Sequence, residues 1–440
     1  MVELPEFPKG WEFEAYTSAL FQCGGFYVER NIIEREKKEQ ILELDIVVTN
    51  YDEKPSRSLI VEVKSGDWGF SNIFKLKGWI DYLRYPDALL ITNEPKENAK
   101  FYRDKARDIG VKLIQIDDLS RAPEFLEQLI PKNKLISEDC EVWRFSHWVE
   151  RSLLSELKEN KKKAYPDKVG FQKLDEYFFL LNSGIFFTRS IVERVHKLYD
   201  TFQKFPHISA KCGNELTGKS FDEEIDQLPR EIYRATYYDC EYNAIQISTF
   251  IEHRARLALL KNAIDYLLGR NRQEDKGKKA FGRDYEEVLL HLLPLSFMDG
   301  LEELTKHKYF HKYPTFWQWF MWVFGGFVLR DYEEKEYQVL SQKSGIPIEE
   351  ISNAFKSYEI LFPQEGGWFR DLQNSNIRVL KLFSLPFSGI GANYRRLLYT
   401  SSKRFEDLKL SGLHTLTDLT KWNNLTIKVL GNKFVGSGIN

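Results

Sequence analysis

The part of this 440-residue chain that most constrains its fold is a pair of strand patterns separated by a short connection. Over Ile41 to Thr49, Leu42, Leu44, Ile46 and Val48 alternate with Glu43, Asp45, Val47 and Thr49. Over Leu59 to Lys64, Leu59, Val61 and Val63 alternate with Ile60, Glu62 and Lys64. Side chains along a strand point to opposite faces in turn, so Glu62 and Lys64 share one face. The segment Asp52 to Arg57, with Pro55, is short enough to close a hairpin, which can bring Asp45 alongside them. Two carboxylates and an ammonium at the centre of a small sheet are costly to bury unless they pair or hold a metal ion. Such hard oxygen ligands suit Mg2+, which takes one or two carboxylates and leaves positions for substrate phosphate. A neighbouring lysine can orient or deprotonate water, while the cation stabilises negative charge on phosphorus oxygens.

The flanking sequence predicts alternating α and β elements. A helix spans Trp11 to Cys23, with Phe13, Tyr16, Ala19 and Leu20 on one face and Gly24-Gly25 closing it. A strand follows at Phe26 to Ile33. Beyond Lys64 come a helix around Asn72 to Arg84, an apolar strand Ala88 to Thr92, a helix Glu97 to Ile109 capped by Gly110, and a strand Val111 to Ile116. This order predicts an α/β fold in which helices flank a mixed sheet and cover both its faces. From about Pro131 helical patterns dominate, notably Tyr242 to Gly269, and a charged loop, Arg270 to Lys279, separates two helical blocks. The expected domains are residues 1–130, 131–335 and 336–440.

Charge adds limits rather than direction. The chain carries 63 Lys and Arg against 65 Asp and Glu, which excludes a generally basic nucleic-acid binder but leaves local basic faces open. Its four cysteines, Cys23, Cys140, Cys212 and Cys240, form no C-x-x-C pair, which argues against a disulfide framework and a structural zinc site. With an acidic, proline-broken start in place of a signal sequence, they lead us to expect a cytoplasmic protein. The most apolar run, Phe316 to Leu329, falls short of the ~18–20 residues of a spanning helix. It is expected to be a buried core helix or an inter-domain contact, with no membrane partner.

Five stretches in the predicted order carry a family resemblance: Phe13 to Glu29 (FEAYTSALFQCGGFYVE), Glu43 to Val48 (ELDIVV), Val61 to Trp68 (VEVKSGDW), Ala88 to Asn93 (ALLITN) and Glu97 to Asp117. Over roughly residues 8–120 the chain resembles the PD-(D/E)xK restriction-endonuclease-like superfamily, in its Mrr-type branch. The resemblance implies a Mg2+-dependent endonuclease acting on DNA, with Mn2+ as a substitute, in defence against foreign DNA or in DNA processing. It implies that Asp45, Glu62 and the Val63 carbonyl bind the metal, that Lys64 activates water, and that Glu14 completes the site. Glu43 is a lesser candidate ligand. Many relatives place a glutamine on the following helix, where this chain offers Asn72, Lys75 and Lys77. The two lysines are candidate DNA contacts. Cleavage of both strands by such a single site implies a homodimer or two successive nicks.

The helical remainder holds weaker signals. Gly213 to Ser220 (GNELTGKS) matches a phosphate-binding loop in letters but lacks a preceding apolar strand. Tyr337 to Tyr358 resembles a helix-turn-helix, with a turn at Gly345 and Pro347. Ser388 to Gly391 (SGIG), followed by Arg395, Arg396, Lys403, Arg404 and Phe405 to Leu408, resembles a helix-hairpin-helix. In that motif Gly389 and Gly391 would admit a DNA phosphate to backbone N–H groups, and Arg395 and Arg396 would neutralise others. A partial second copy follows at HTLTDL and Leu430-Gly431. The arrangement resembles the accessory region of some DNA helicases, whose motor is missing here. A helicase or NTPase partner is therefore the expectation, and a binding or assembly protein with a silent nuclease domain is the alternative. His307 and His311 stand at i, i+4 without a surrounding set of carboxylates.

Overall fold

The computed structural model describes residues 4–53, 56–160, 168–203, 242–269, 279–280, 283–363, 369–371, 377–380 and 384–400. Two compact units, Glu3–His147 and Trp148–Asn440, divide the chain within the helix Ser137–Asn160.

In the first unit, five strands form one sheet in the order β1-β2-β3-β4-β5: Tyr27–Glu36, Glu39–Asn50, Arg57–Lys64, Ala88–Thr92 and Val111–Gln115. The pairs β1/β2 and β2/β3 are antiparallel, while β3/β4 and β4/β5 are parallel. Its first helices in chain order are α1 (Trp11–Cys23), α2 (Phe70–Leu83) and α3 (Ala99–Asp108). A parallel pair requires a crossover, and α2 and α3 supply those between β3, β4 and β5. The strand β4 is buried at all five positions, as its unbroken apolar run requires. Beyond the sheet, the start of the helix Ser137–Asn160 also belongs to this unit. His147 Nε2 meets Gln22 Oε1 at 2.8 Å, and Arg144 donates to the Pro5 carbonyl at 2.7 Å.

The second unit is mostly helical. Its helix Tyr313–Trp322 is buried at every residue. Only Thr315 and Gln318 interrupt its run of aromatic and apolar residues, so it has no continuous polar face to offer water and sits inside the unit. Trp317 satisfies its indole N–H on Ser357 Oγ at 2.8 Å and stacks near Tyr358 with ring centroids 4.0 Å apart. Among the described residues no helix is long and apolar enough to cross a membrane. The stretch Tyr337 to Tyr358 lies in two consecutive helices joined by a turn. Glu333–Ser344 ends at Gly345 in the left-handed region (φ 69°), and Ile351–Leu361 follows a short 3-10 turn. Its second helix exposes Glu349 just before it, then Ser352, Lys356 and Glu359, so that face is not basic.

The helix-hairpin-helix expectation is corrected. Ser388 to Gly391 form no turn but lie inside one helix, Leu385–Thr400. Gly391 is glycine because the Phe324 carbonyl and Gly325 backbone pack against its Cα, leaving no room for a Cβ. Gly389 is buried as well. Arg395 is fully buried and cannot reach a phosphate. Its five N–H groups bond Glu336 Oε1 (2.5 Å) and Oε2 (3.0 Å) and the carbonyls of Phe324 (2.7 Å), Gly391 (3.0 Å) and Phe327 (2.5 Å). All five donors of the guanidinium are therefore spent. Arg396 lies on the same helix, while Lys403, Arg404, FEDL, the HTLTDL repeat and Gly213–Ser220 lie outside the described residues. Gly391→Ala is expected to destabilise the second unit by about 1–3 kcal/mol or more through overpacking, read as a lower midpoint in denaturant.

Candidate functional site

The antiparallel register pairs Ile46 with Val61, Val47 with Ile60 and Val48 with Leu59. Directly opposed residues share a face. Asp45, Val47, Ile60, Glu62 and Lys64 consequently stand on one face of the sheet. The pairing between β2 and β3 stops at Ile46 and Val61, so the strands part like a fork just where Asp45 and Glu62 follow. On the other side of β2, the register runs from Arg30 with Ile46 to Ile32 with Leu44. Asn31 thus stands opposite Asp45, and it lies in the left-handed region (φ 52°), which asparagine tolerates better than most residues.

Within the fork, the Val63 N–H donates to Asp45 Oδ2 at 2.8 Å. A residue's N–H and C=O leave a strand on the same side. The Lys64 carbonyl accepts from Asn93 N on the β4 side, so the Val63 carbonyl, one residue earlier, faces the fork. Lys64 Nζ lies 2.6 Å from Glu62 Oε1 and 3.8 Å from Asp45 Oδ2, joining the three groups that the alternation pattern picks out. Lys75, from the second turn of α2, also reaches Glu62 Oε1 at 3.3 Å, with its ammonium 4.2 Å from the Trp79 ring centroid. Lys77 instead pairs with Asp81 one helical turn on, at 2.7 Å, away from this cluster. Ser65 Oγ accepts from the Gly10 N–H at 2.5 Å, tying the end of β3 to the start of α1.

Electrostatics at the fork follow from crowding. Burial, and then the charge of Glu62, push Asp45 up to about 8, despite Lys64 and the Val63 N–H. Burial also raises Glu14, whose carboxyl feels Arg30, Lys64, Glu43 and Glu62. For Lys64, burial favours the neutral amine, but the charges of Asp45 and Glu62 win and hold its ammonium above the usual range. Glu14 therefore does belong to the same electrostatic cluster. Glu43 is exposed and accepts from Gln40 Nε2 at 3.0 Å. Sequence reasoning missed Arg30, which is buried on β1; an arginine inside an otherwise strand-like run was its one signal.

Whether this donor set suits a divalent ion can be tested on one atom. Glu62 is 1% exposed, and its Oε2 is buried with no hydrogen-bond partner. An ionised carboxylate oxygen left bare in a core costs free energy unless a cation faces it. With Asp45 and the Val63 carbonyl beside it, the residues present fit a hard cation held by few protein ligands. Among the described residues no group of three or more His, Cys, Asp or Glu comes together to hold a metal. His307 is engaged by the Tyr313 hydroxyl at 2.8 Å, and His311 lies in a separate 3-10 turn.

The same crowding makes the stability of the metal-free protein depend on pH. Between about pH 4, where an unfolded aspartate ionises, and pH 8, folded Asp45 holds a proton that the unfolded chain has released. Stability from this group is therefore greatest at the acid end and declines as pH rises towards 8. Asp45→Asn is expected to remove that decline and to raise the midpoint of thermal unfolding at pH 8 in a chelating buffer. A lower midpoint for the variant at pH 8 would contradict the crowding described above.

No protein-family model, curated protein or solved structure matches the chain.

Proposed function

We propose that the first unit is a Mg2+-dependent nuclease domain of the restriction-endonuclease-like kind, hydrolysing phosphodiester bonds in DNA. The observation that carries this reading is the fork itself. Asp45, Glu62 and Lys64 meet on one sheet face at the end of β3, with one Glu62 oxygen buried and bare. Asp45, Glu62 and the Val63 carbonyl would hold the ion, and Mn2+ would substitute for it. When bound, the ion would supply Lewis-acid stabilisation of charge on the phosphorus oxygens. Lys64, held as an ammonium beside both carboxylates, orients a water by donating to it, and the proton that the water loses passes to a neighbouring carboxylate or to solvent. Glu14, raised by burial, keeps a proton-accepting or hydrogen-bonding group near Lys64. Lys75 pairs with Glu62, and would be available to a DNA phosphate if a bound cation offset the charge of Glu62. Lys77, half-exposed, is a weaker candidate for such contact.

The mostly helical unit would then hold DNA or dock a partner, including a helicase or NTPase, and a homodimer would account for cutting both strands. The setting in this reading is defence against foreign DNA or DNA processing. The test is incubation of the purified chain with supercoiled plasmid, linear duplex and branched DNA, with Mg2+, with Mn2+ and with chelator. Metal-dependent nicking or cutting is expected. Intact substrates under all metal conditions, with DNA still bound, would favour the reading as a binding or assembly protein with a silent nuclease domain.

A further inference from the structure

Beside the fork, at the C-terminal ends of β3 and β4, the rings of Trp68, Phe70, Phe74, Phe101 and Tyr102 form a continuous ledge. Phe70 and Tyr102 stack with centroids 4.6 Å apart, and Phe70 meets Phe101 at 5.7 Å and Phe74 at 6.4 Å. Trp68 braces Tyr102 at 5.1 Å and is itself fixed by its indole N–H donating to the Glu94 carbonyl at 2.8 Å. The inner rings are held in place, yet the outer two are left to solvent: Phe74 is 60% exposed and Phe101 52%. Isolated exposed rings are ordinary on a protein surface, but a joined row of them marks a binding surface.

What it binds is narrowed by its surroundings. Phe74 is followed directly by Lys75, whose ammonium reaches Glu62 in the candidate site. Lys96 lies 5.8 Å from the Trp68 ring centroid while pairing with Asp67, and Lys100 is exposed in the first turn of α3, next to Phe101. Flat apolar faces interleaved with ammonium groups suit a polymer of flat bases on a phosphate backbone. Bases inside a duplex already stack on one another and offer no face. We propose that this ledge stacks unpaired bases, so that the substrate held at the fork is single-stranded or locally opened DNA. The inference rests on the nuclease reading for its substrate, but its own test does not depend on cleavage.

The test is fluorescence anisotropy in chelator, with a labelled oligothymidylate and a labelled duplex of matched length, for the wild type, Phe74→Ala, Phe101→Ala, the double variant and Phe74→Trp. Because both rings are largely exposed, the alanine variants are expected to keep the wild-type circular dichroism spectrum. Each alanine change is expected to weaken single-strand binding by roughly 5- to 150-fold per base unstacked, with duplex affinity much less affected and Phe74→Trp retaining binding. Unchanged single-strand affinity in the double variant, or an equal loss on duplex, would overturn the proposal. So would a wild-type dimer that the double variant lacks, since the ledge would then be a protein contact. If ledge-dependent binding is found without any cleavage, the nuclease reading fails and this one stands. If single-stranded and opened DNA are cleaved equally well by the wild type and the ledge variants, the nuclease reading stands and this one fails.

Discussion

Lys64→Ala and Asp45→Ala are each expected to reduce DNA cleavage by at least about 10²–10⁴-fold, the range typical of losing a positioned acid–base group, with DNA binding kept within a few-fold. The two losses have different causes. In the nuclease reading, without Lys64 the water at the fork would have no ammonium to orient it, although Asp45 and Glu62 would still hold the ion. Without Asp45 the proposed ion would lose one of its two carboxylates, so excess Mg2+ or Mn2+ should restore part of the rate to Asp45→Ala and none to Lys64→Ala. Since Asp45 is pushed up to about 8, an ion held there would have to displace a proton from it. Apparent metal affinity is therefore expected to rise with pH up to about 8, and this can be read by titrating the metal at several pH values. Nicking by purified Asp45→Ala at the wild-type rate would refute the nuclease reading. Because Asp45→Ala also relieves carboxylate crowding, its inactivity could not be blamed on unfolding if its thermal midpoint in chelator is at or above the wild-type value.

The second large effect concerns the pair formed by Glu336 and Arg395, both of which are fully buried. Arg395→Ala is expected to destabilise the second unit by about 3–5 kcal/mol, because Glu336 is left as an uncompensated charge in the core. One half of that carboxylate would survive on the Leu329 N–H, which donates to Glu336 Oε2 at 3.1 Å. The carbonyls of Phe324 and Phe327 would each lose a donor as well. Replacing both partners with apolar residues of similar volume, Glu336→Leu with Arg395→Met, is expected to cost much less than the single change. Chemical denaturation of the two variants separates these outcomes. If Arg395 were instead a phosphate contact, Arg395→Ala would weaken DNA binding and leave the denaturation midpoint alone.

These two sites differ in how much of them is legible in the sequence, and the reason lies in the range of the interactions. The hairpin of β2 and β3 is a local structure in which alternation assigns each side chain to a face, so Asp45, Glu62 and Lys64 can be grouped from spacing. The helix Trp11–Cys23 and the strand Ala88–Thr92 likewise begin and end where their patterns do, because glycine pairs and polar breaks bound them. The approach of Lys75 to Glu62 is not legible, since it depends on how α2 lies against the sheet rather than on any spacing. The aromatic ledge is hidden for the same reason: its rings come from two helices and a loop that meet only in the folded unit.

The SGIG run shows the limit most clearly. Small residues followed by arginines suit a turn that admits phosphate, and they equally suit a helix that another backbone approaches closely. Local pattern alone does not separate those two uses of glycine. The Phe324 carbonyl against Gly391, and the five bonds of Arg395, do separate them. By itself the sequence determined the α/β order of the first unit and the three residues that face one another at its fork, because strand periodicity and chain proximity act within a few residues. Only the tertiary structure decided which charges are exposed and which are buried. Burial depends on partners far along the chain, as Arg395 depends on Glu336, 59 residues before it.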